Sequence, residues 1–357
     1  MKLLVTCLAF LLMMSGSAQQ LSSPIRGTWI TNVASDALHS KKNIRKTVRL
    51  CKKMGLNTLF VVVWNDGVTM YPSKVVEAYT GIKQDPVFKG FDPIREIVKE
   101  GHRHGLQVHA WFEFGFSYAY KDTASPWFQI NKHWQGKNKN GGLLQKNGFY
   151  WWNAIHPEVQ QFMTDLVLEV VKKYNVDGIQ GDDRLPAMPA EGGYDDFTKQ
   201  LYKEETGSDV PANSKEATWL QWKADKMSSF GKRLYNEVKQ TKPDCLVSWA
   251  PSIYPWSKEE YLQDWPSWLR GGYADFVMPQ LYRYNLEAYE KVLKELHEQV
   301  TTEQKKVVFP GILTGLGDGY RISDQMLKEI IRLNRHYGFS GECQFYFESL
   351  KSNKKMY

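Results

Sequence analysis

From residue 26 onward, short apolar runs alternate with longer stretches in which apolar positions recur every three or four residues. The first pattern is that of strands and the second that of amphipathic helices. The strand candidates are residues 26–33, 58–65, 107–114, 178–183, 245–250, 274–282, 307–312 and 342–347. Helical patterns separate them at 43–54, 93–104, 157–174, 214–240, 258–269, 286–299 and 324–337. Three of these helices run into Gly55, Gly105 and Gly338, where a left-handed C-cap favours glycine. Strands this apolar are buried on both faces, which predicts a parallel sheet covered by helices. The eight units predict a single (β/α)8 TIM barrel over residues 19–357. A doubly wound sheet would show a Gly-rich phosphate turn after its first strand, and none is present. The surplus length falls in the connections 115–156 and 184–213, so the barrel carries extended βα loops. Strand eight ends close to the C-terminus, leaving room only for a short or missing last helix.

The N-terminus departs from this alternation. Lys2 precedes the apolar run Leu3–Met14, which is followed by Ser15-Gly16-Ser17-Ala18. A positive start, a short apolar run and a small-residue cleavage site make residues 1–18 a signal peptide, too short to span a bilayer as a helix. Export to a periplasm or the exterior is therefore expected.

Composition narrows the class. With 42% hydrophobic and 24% charged residues, the chain is neither a multi-span membrane protein nor a disordered one. The formal charge of +7 is scattered, and its densest run, residues 132–146, is broken by Gly and Asn. No basic stripe marks a nucleic-acid binder, although a mild attraction to an anionic cell-wall polymer fits the charge. Beyond the signal segment, Cys51, Cys245 and Cys343 are too few and too far apart for a disulfide framework. No CxxC or HExxH pattern is present, and His102 and His104 fall on different helical faces. No metal or organic cofactor is expected.

Strand parity selects the candidate chemistry, because alternate side chains face opposite sides. In strand three, His109, Trp111 and Glu113 share the face opposite apolar Val108, Ala110 and Phe112, so they point into the barrel. The same reading turns Gln180 and Asp182, Gln280 and Tyr282, and Gln344, Tyr346 and Glu348 inward. Glu113, Asp182 and Glu348 come late in their strands, where barrel active sites are built. Paired carboxylates there suit glycoside hydrolysis, which takes one as acid and one as nucleophile or base. Glu113 and Asp182 are the catalytic candidates. Gln180 is placed one layer deeper, to position Asp182 by a hydrogen bond. Asp183 points away from the centre and serves from the loop, and Glu348 suits a structural pair as well as a substrate contact. Asn65, Asn153 and His156 would contact substrate from the loops. The 14% aromatic content divides by position. Trp64, Trp111, Trp249 and Tyr254 lie at strand ends or in the loops after them, where they can stack on sugar rings or pack the loops.

These stretches carry a resemblance. RGTWITNV (26–33), NTLFVVVWNDGVTMYPS (57–73), HAWFEFGF (109–116), WWNAIHPEVQQF (151–162), DGIQGDD (177–183), SWAPSIYPWS (248–257), YLQDWPSWLRGG (261–272) and MPQLYR (278–283) resemble the glycosyl-hydrolase-like 10 family of exported bacterial proteins. The resemblance implies a (β/α)8-barrel glycosidase, and it suggests a bacterial glycan such as peptidoglycan strands stripped of peptides as substrate. Two positions depart from the family's strand-four pattern. Gly181 stands in place of Phe, and Arg184 in place of His or Tyr. Gly181 faces the helices, where it leaves a packing gap or lets the strand bend. Arg184 shares the inward parity of Asp182, and pairing would lower that carboxyl's pKa and leave the acid role to Glu113. The strand-four stretch is also similar to the D-x-x-D-x-D-x-E signature of chitinase-type barrels. Gln180 and Arg184 replace its second Asp and its acid Glu, while Tyr282 sits where such enzymes polarise a carbonyl. A non-catalytic glycan-binding protein on the same scaffold is the alternative, motivated by Gly181 and Arg184. An esterase is excluded by the lack of a G-x-S-x-G motif.

Overall fold

The principal helices start where a side chain accepts a hydrogen bond from the helix's own first turn. Ser40, Asp92, His156, Glu216, Asn285 and Ser323 do this for the backbone N–H of Asn43, Arg95, Glu158, Trp219, Ala288 and Met326. These caps hold α1 (Lys41–Lys53), α2 (Pro93–Arg103), α3 (Pro157–Lys173), α4 (Ala217–Thr241), α6 (Leu286–Gln299) and α7 (Asp324–His336). The α5 helix (Trp265–Arg270) and α8 (Phe347–Leu350) are short. The molecule is represented by a computed structural model that describes residues 23–351 except 318. The segment read as a signal peptide lies outside the described residues.

Between these helices run β1 (Arg26–Ile30), β2 (Thr58–Val62), β3 (Gln107–Phe112), β4 (Gly178–Gly181), β5 (Leu246–Trp249), β6 (Phe276–Val277), β7 (Gly311–Leu313) and β8 (Glu342–Phe345). They form one sheet in the order β6-β5-β4-β3-β2-β1-β8-β7, with every neighbouring pair parallel. Parallel bridges Val277↔Val308 and Gln280↔Gly311 join the two ends and close the barrel. The predicted (β/α)8 architecture is the observed one.

Its interior is filled rather than open. Phe60 and Phe276 clasp His109, with ring centroids 5.0 and 5.7 Å away, and Trp29 lies above them against Trp111 at 6.4 Å. The Trp29 indole N–H donates to Gln180 Oε1 at 2.7 Å.

Several local expectations change. Strand six is only Phe276–Val277, because Pro279 has no N–H for the ladder and offers only its carbonyl, to Gly311. Strand two stops at Val62, and Trp64–Asn65 pairs instead with Val68–Thr69 in a hairpin. The helix expected over 258–269 is two helices, Trp256–Tyr261 and Trp265–Arg270, parted by Leu262 at φ 64°. Strand eight has the opposite parity to that expected. Phe345 faces the barrel, 6.0 Å from Trp29 and 5.2 Å from Tyr282, whereas Glu342 faces the helices and pairs with Arg335 of α7 at 2.7 Å. A polar helix-facing residue, neutralised by a cation on the covering helix, breaks the rule that the outward face is apolar.

Candidate active site

Glu113 and Asp182 each lie one residue beyond the end of a strand, β3 and β4. These strands are neighbours, with Trp111 paired to Gln180, so the two carboxylates emerge side by side. Asp182 is 4% exposed and is held by three N–H donors. The Trp111 indole donates to Oδ2 at 3.0 Å, and Gln280 Nε2 and the Asp183 backbone donate to Oδ1 at 2.6 and 2.8 Å. The main-chain carbonyl of Asp182 accepts from Gln263. Glu113 Oε2 accepts from Asn65 Nδ2 at 2.6 Å and from the Thr31 hydroxyl at 3.4 Å.

Arg184 links the pair. Its Nη2 is 3.8 Å from Glu113 Oε1 and 3.8 Å from Asp182 Oδ2. The two oxygens therefore lie no further apart than twice that distance, inside the outer limit of roughly 10 Å for paired carboxylates that hydrolyse glycosides. Nη1 is 3.0 Å from Asp183 Oδ1, Nε donates to the Glu113 carbonyl at 2.9 Å, and the guanidinium lies 4.6 Å above the Phe149 ring.

The electrostatics follow from three carboxylates sharing one cation in a covered site. Burial raises the Glu113 pKa, with Arg184 and Asn65 working against it. Burial also raises that of Asp182, reinforced by Asp183 and opposed by Arg184. Arg184 does lower the Asp182 pKa, as expected, but its charge is divided among three partners and does not offset burial, so the net shift is upward. Burial, and then the negative charge of Asp182, keep the Tyr282 phenol protonated.

A cleft of about 460 Å³ opens above the strand ends, lined among others by Thr31, Asn65, Glu113, Phe149, Phe345 and Tyr346. A second hollow of about 280 Å³ is lined by Ser252, Trp256, Gln280 and Tyr282. Tyr282 of that hollow packs against Phe345 of the first, so the two hollows adjoin across an aromatic pair. A larger hollow of about 560 Å³ beside Pro72, Gln84 and Phe91 shares none of these residues.

Other expected site residues lie elsewhere. Gln180 does not bond Asp182; its amide reaches Ser248 and Met278, and its oxygen is taken by Trp29. Trp111 is 1% exposed and serves Asp182 from beneath instead of offering a sugar platform. Trp64 and Trp249 are fully buried, the first stacked on Trp152 and the second edge-on to Trp268. Tyr254 packs against Trp265. Asn153 is buried and ties the β3–α3 connection to Asp195 and Thr198. His156 caps α3, while Glu348 sits on α8, bonded to Ser35 and paired with Lys351. Gly181 leaves no gap, since an added Cβ would stand 2.3 Å from the Leu185 carbonyl and 2.7 Å from the Trp249 ring. Trp249 fills the place of the missing aromatic.

The cleft also uses residues that were not anticipated. Thr31 shares the inward parity of Trp29, so strand one carried a signal for it. Phe149 carried none. It reaches the cleft because Phe149–Trp151 folds back onto Ser117–Tyr120 and Gln145–Lys146 as a small antiparallel sheet. Outside the cleft, His133, His156 and Glu158 bring three potential metal-binding atoms within 4.8 Å of one another.

Comparison with known proteins agrees with this geometry. The model of the family described as Glycosyl hydrolase-like 10 matches residues 24–329. The chain is 24% identical over 316 residues to glycosyl hydrolase DigH of Escherichia coli O6:H1, covering 74% of this chain and 67% of that protein. It is 25% identical over 303 residues to glycosyl hydrolase YngK of Bacillus subtilis, covering 74% of this chain but only 56% of the relative. Among solved structures, the PgaB (BpsB) glycoside hydrolase domain of Bordetella bronchiseptica superposes with a TM-score of 0.70 at 15% identity, covering 92% of this chain and 97% of that one. The catalytic domain of a Paenibacillus polymyxa beta-amylase gives a TM-score of 0.64 at 9% identity, covering 93% and 94%. The structural likenesses carry the fold, and the family match carries the class: this chain belongs to the glycosyl hydrolase-like 10 family and is a glycosidase on a (β/α)8 barrel.

Proposed function

We propose that the protein is an exported glycoside hydrolase that cleaves O-glycosidic bonds within a bacterial glycan, with peptide-free peptidoglycan strands the first substrate to try. The observation that carries the reading is the placement of Glu113 and Asp182 against one guanidinium at the mouth of adjacent strands. The aromatic rings lining the two adjoining hollows support a sugar-polymer substrate, and the N-terminal sequence supports export.

The hydrogen bonds divide the roles. All three donors to Asp182 are N–H groups, which cannot accept, so they favour its ionised form. Glu113 faces the Thr31 hydroxyl, which can turn to accept, and it lines the open cleft. On these bonds we assign the transferable proton to Glu113, although burial raises the Asp182 carboxyl well above its ordinary value. Glu113 protonates the departing glycosidic oxygen, while Asp182 attacks the anomeric carbon or takes a proton from the attacking water. Tyr282 and Gln280 bound the site on the Asp182 side.

Glu113→Gln preserves the Asn65 contact but removes the transferable proton. It should lower kcat on the polymer by roughly 10²–10⁴-fold. The loss should be much smaller on an aryl glycoside whose leaving group needs no proton. Product mass analysis of peptide-free peptidoglycan strands and a polysaccharide panel gives the measurement. Equal losses on both substrates would remove Glu113 from the acid role.

A further inference from the structure

The cluster His133, His156 and Glu158 lies apart from the cleft and is not used by the hydrolytic reading. His133 sits on the short turn Lys132–Trp134, while His156 and Glu158 sit at the cap and first turn of α3. His133 Nε2 is 2.8 Å from Glu158 Oε2, and the two imidazole centroids are 5.4 Å apart. The Trp134 indole N–H donates to the same Glu158 oxygen at 2.8 Å, orienting the carboxylate as outer partners of metal ligands do. His156 is 8% exposed beneath the Phe197 ring, 4.7 Å away, which limits how its imidazole can turn. Its Nδ1 holds only a long bond, 3.3 Å, from the Glu158 backbone N–H.

We infer that these three side chains form a binding site for a divalent transition-metal ion of the zinc type. Two imidazoles and one carboxylate are a donor set suited to zinc, cobalt, nickel or copper. Their ligand atoms need only close to about 3–3.5 Å for tetrahedral zinc, and the two exposed side chains can supply that movement. His133 and Glu158 have side chains 55% and 58% exposed, so water can complete the coordination. The ion replaces the proton between His133 and Glu158, with the His133 tautomer shifting its proton to Nδ1. At His156 it competes with the long cap bond, which is the weakest contact in the cluster. A bound ion clasps the turn of the β3–α3 connection to the start of α3, beside the Asn153–Asp195 tie that joins this connection to the one after β4. The ion takes no part in cleaving the glycan, so the site stands or falls independently of the hydrolytic assignment.

Calorimetric titration of the metal-free full chain with zinc chloride is the test, with cobalt chloride read by its d–d absorption. The expected result is saturable binding of one ion, a tetrahedral cobalt spectrum, and a melting temperature that rises with zinc and falls back with chelator. His133→Ala and His156→Ser, the latter keeping a capping hydroxyl, should each weaken zinc binding by at least tenfold while retaining the fold by circular dichroism. Absence of saturable binding, or variants that bind as the wild type does, overturns the site.

Discussion

Arg184 is the residue on which the chemistry turns. Its guanidinium is fixed by the Glu113 carbonyl and the Phe149 ring, and it faces Glu113, Asp182 and Asp183 together. That one cation pulls the pKa of Glu113 and of Asp182 down without overcoming burial, so both carboxyls hold their protons to higher pH than free ones do. Removing the cation must push both carboxyls further up. In Arg184→Met the acidic limb of kcat/KM against pH should therefore move to higher pH, because the carboxylate that must be ionised holds its proton longer. An unmoved limb would mean that Arg184 does not tune the pair. Trp111→Phe tests the other support. It deletes one N–H donor to Asp182 at nearly constant shape and should lower kcat more than it changes KM, with the melting temperature as control. Inward parity on β3 and β4 made Glu113, Trp111 and Asp182 legible in the sequence. The three-way sharing of Arg184 was not, because it depends on side-chain conformations and on a ring brought in from residue 149.

At the scale of elements, Gly181 and Trp249 act as one unit. They sit opposite each other in register on β4 and β5. The Trp249 ring occupies the space that an aromatic at 181 would need, and its N–H is held by the Tyr273 carbonyl at 3.2 Å. Gly181→Phe alone should destabilise the barrel by about 1–3 kcal/mol or more through overpacking. Gly181→Phe should cost less in a Trp249→Ala background than it does alone, since the second change removes the ring that stands in its way, though not the Leu185 carbonyl. Thermal melts of the two variants and of Trp249→Ala give the coupling, and strict additivity would show that the positions are independent. The exchange of a large residue from one strand to its neighbour is invisible in a linear pattern, where Gly181 reads only as a deficit. The parity of β8 was hidden for a related reason. Glu342 can face the helices because Arg335 on α7 meets it there, and pairing across elements is a property of the assembled molecule.

Over the whole molecule, the barrel stores an acid-sensitive group at its centre. His109 is fully buried between Phe60 and Phe276, and neither ring nitrogen has a hydrogen-bond partner among the described residues. Burial lowers its pKa from 6.5 to about 4. The unfolded chain therefore binds a proton between pH 6.5 and about 4 that the folded chain refuses, and stability falls as pH drops through that window. The shift corresponds to a loss of about 3 kcal/mol by its lower edge. Urea unfolding at pH 7 and pH 4.5 should show the decline in the wild type and a smaller one in His109→Leu; equal declines would place the acid sensitivity elsewhere. Periodicity by itself determined the eight strand–helix units and their closure into one barrel. Helix and strand repeats are short-range, and a parallel sheet with covered faces leaves few ways to connect them. Parity then placed the proposed catalytic carboxylates at the C-terminal ends of their strands, because strand direction and alternation need no knowledge of neighbours. Only the tertiary structure decided which aromatics line the hollows, how the charge of Arg184 is divided, and where Glu348 and Asn153 lie. Those outcomes rest on contacts between segments far apart in the chain, whose energies no local pattern records.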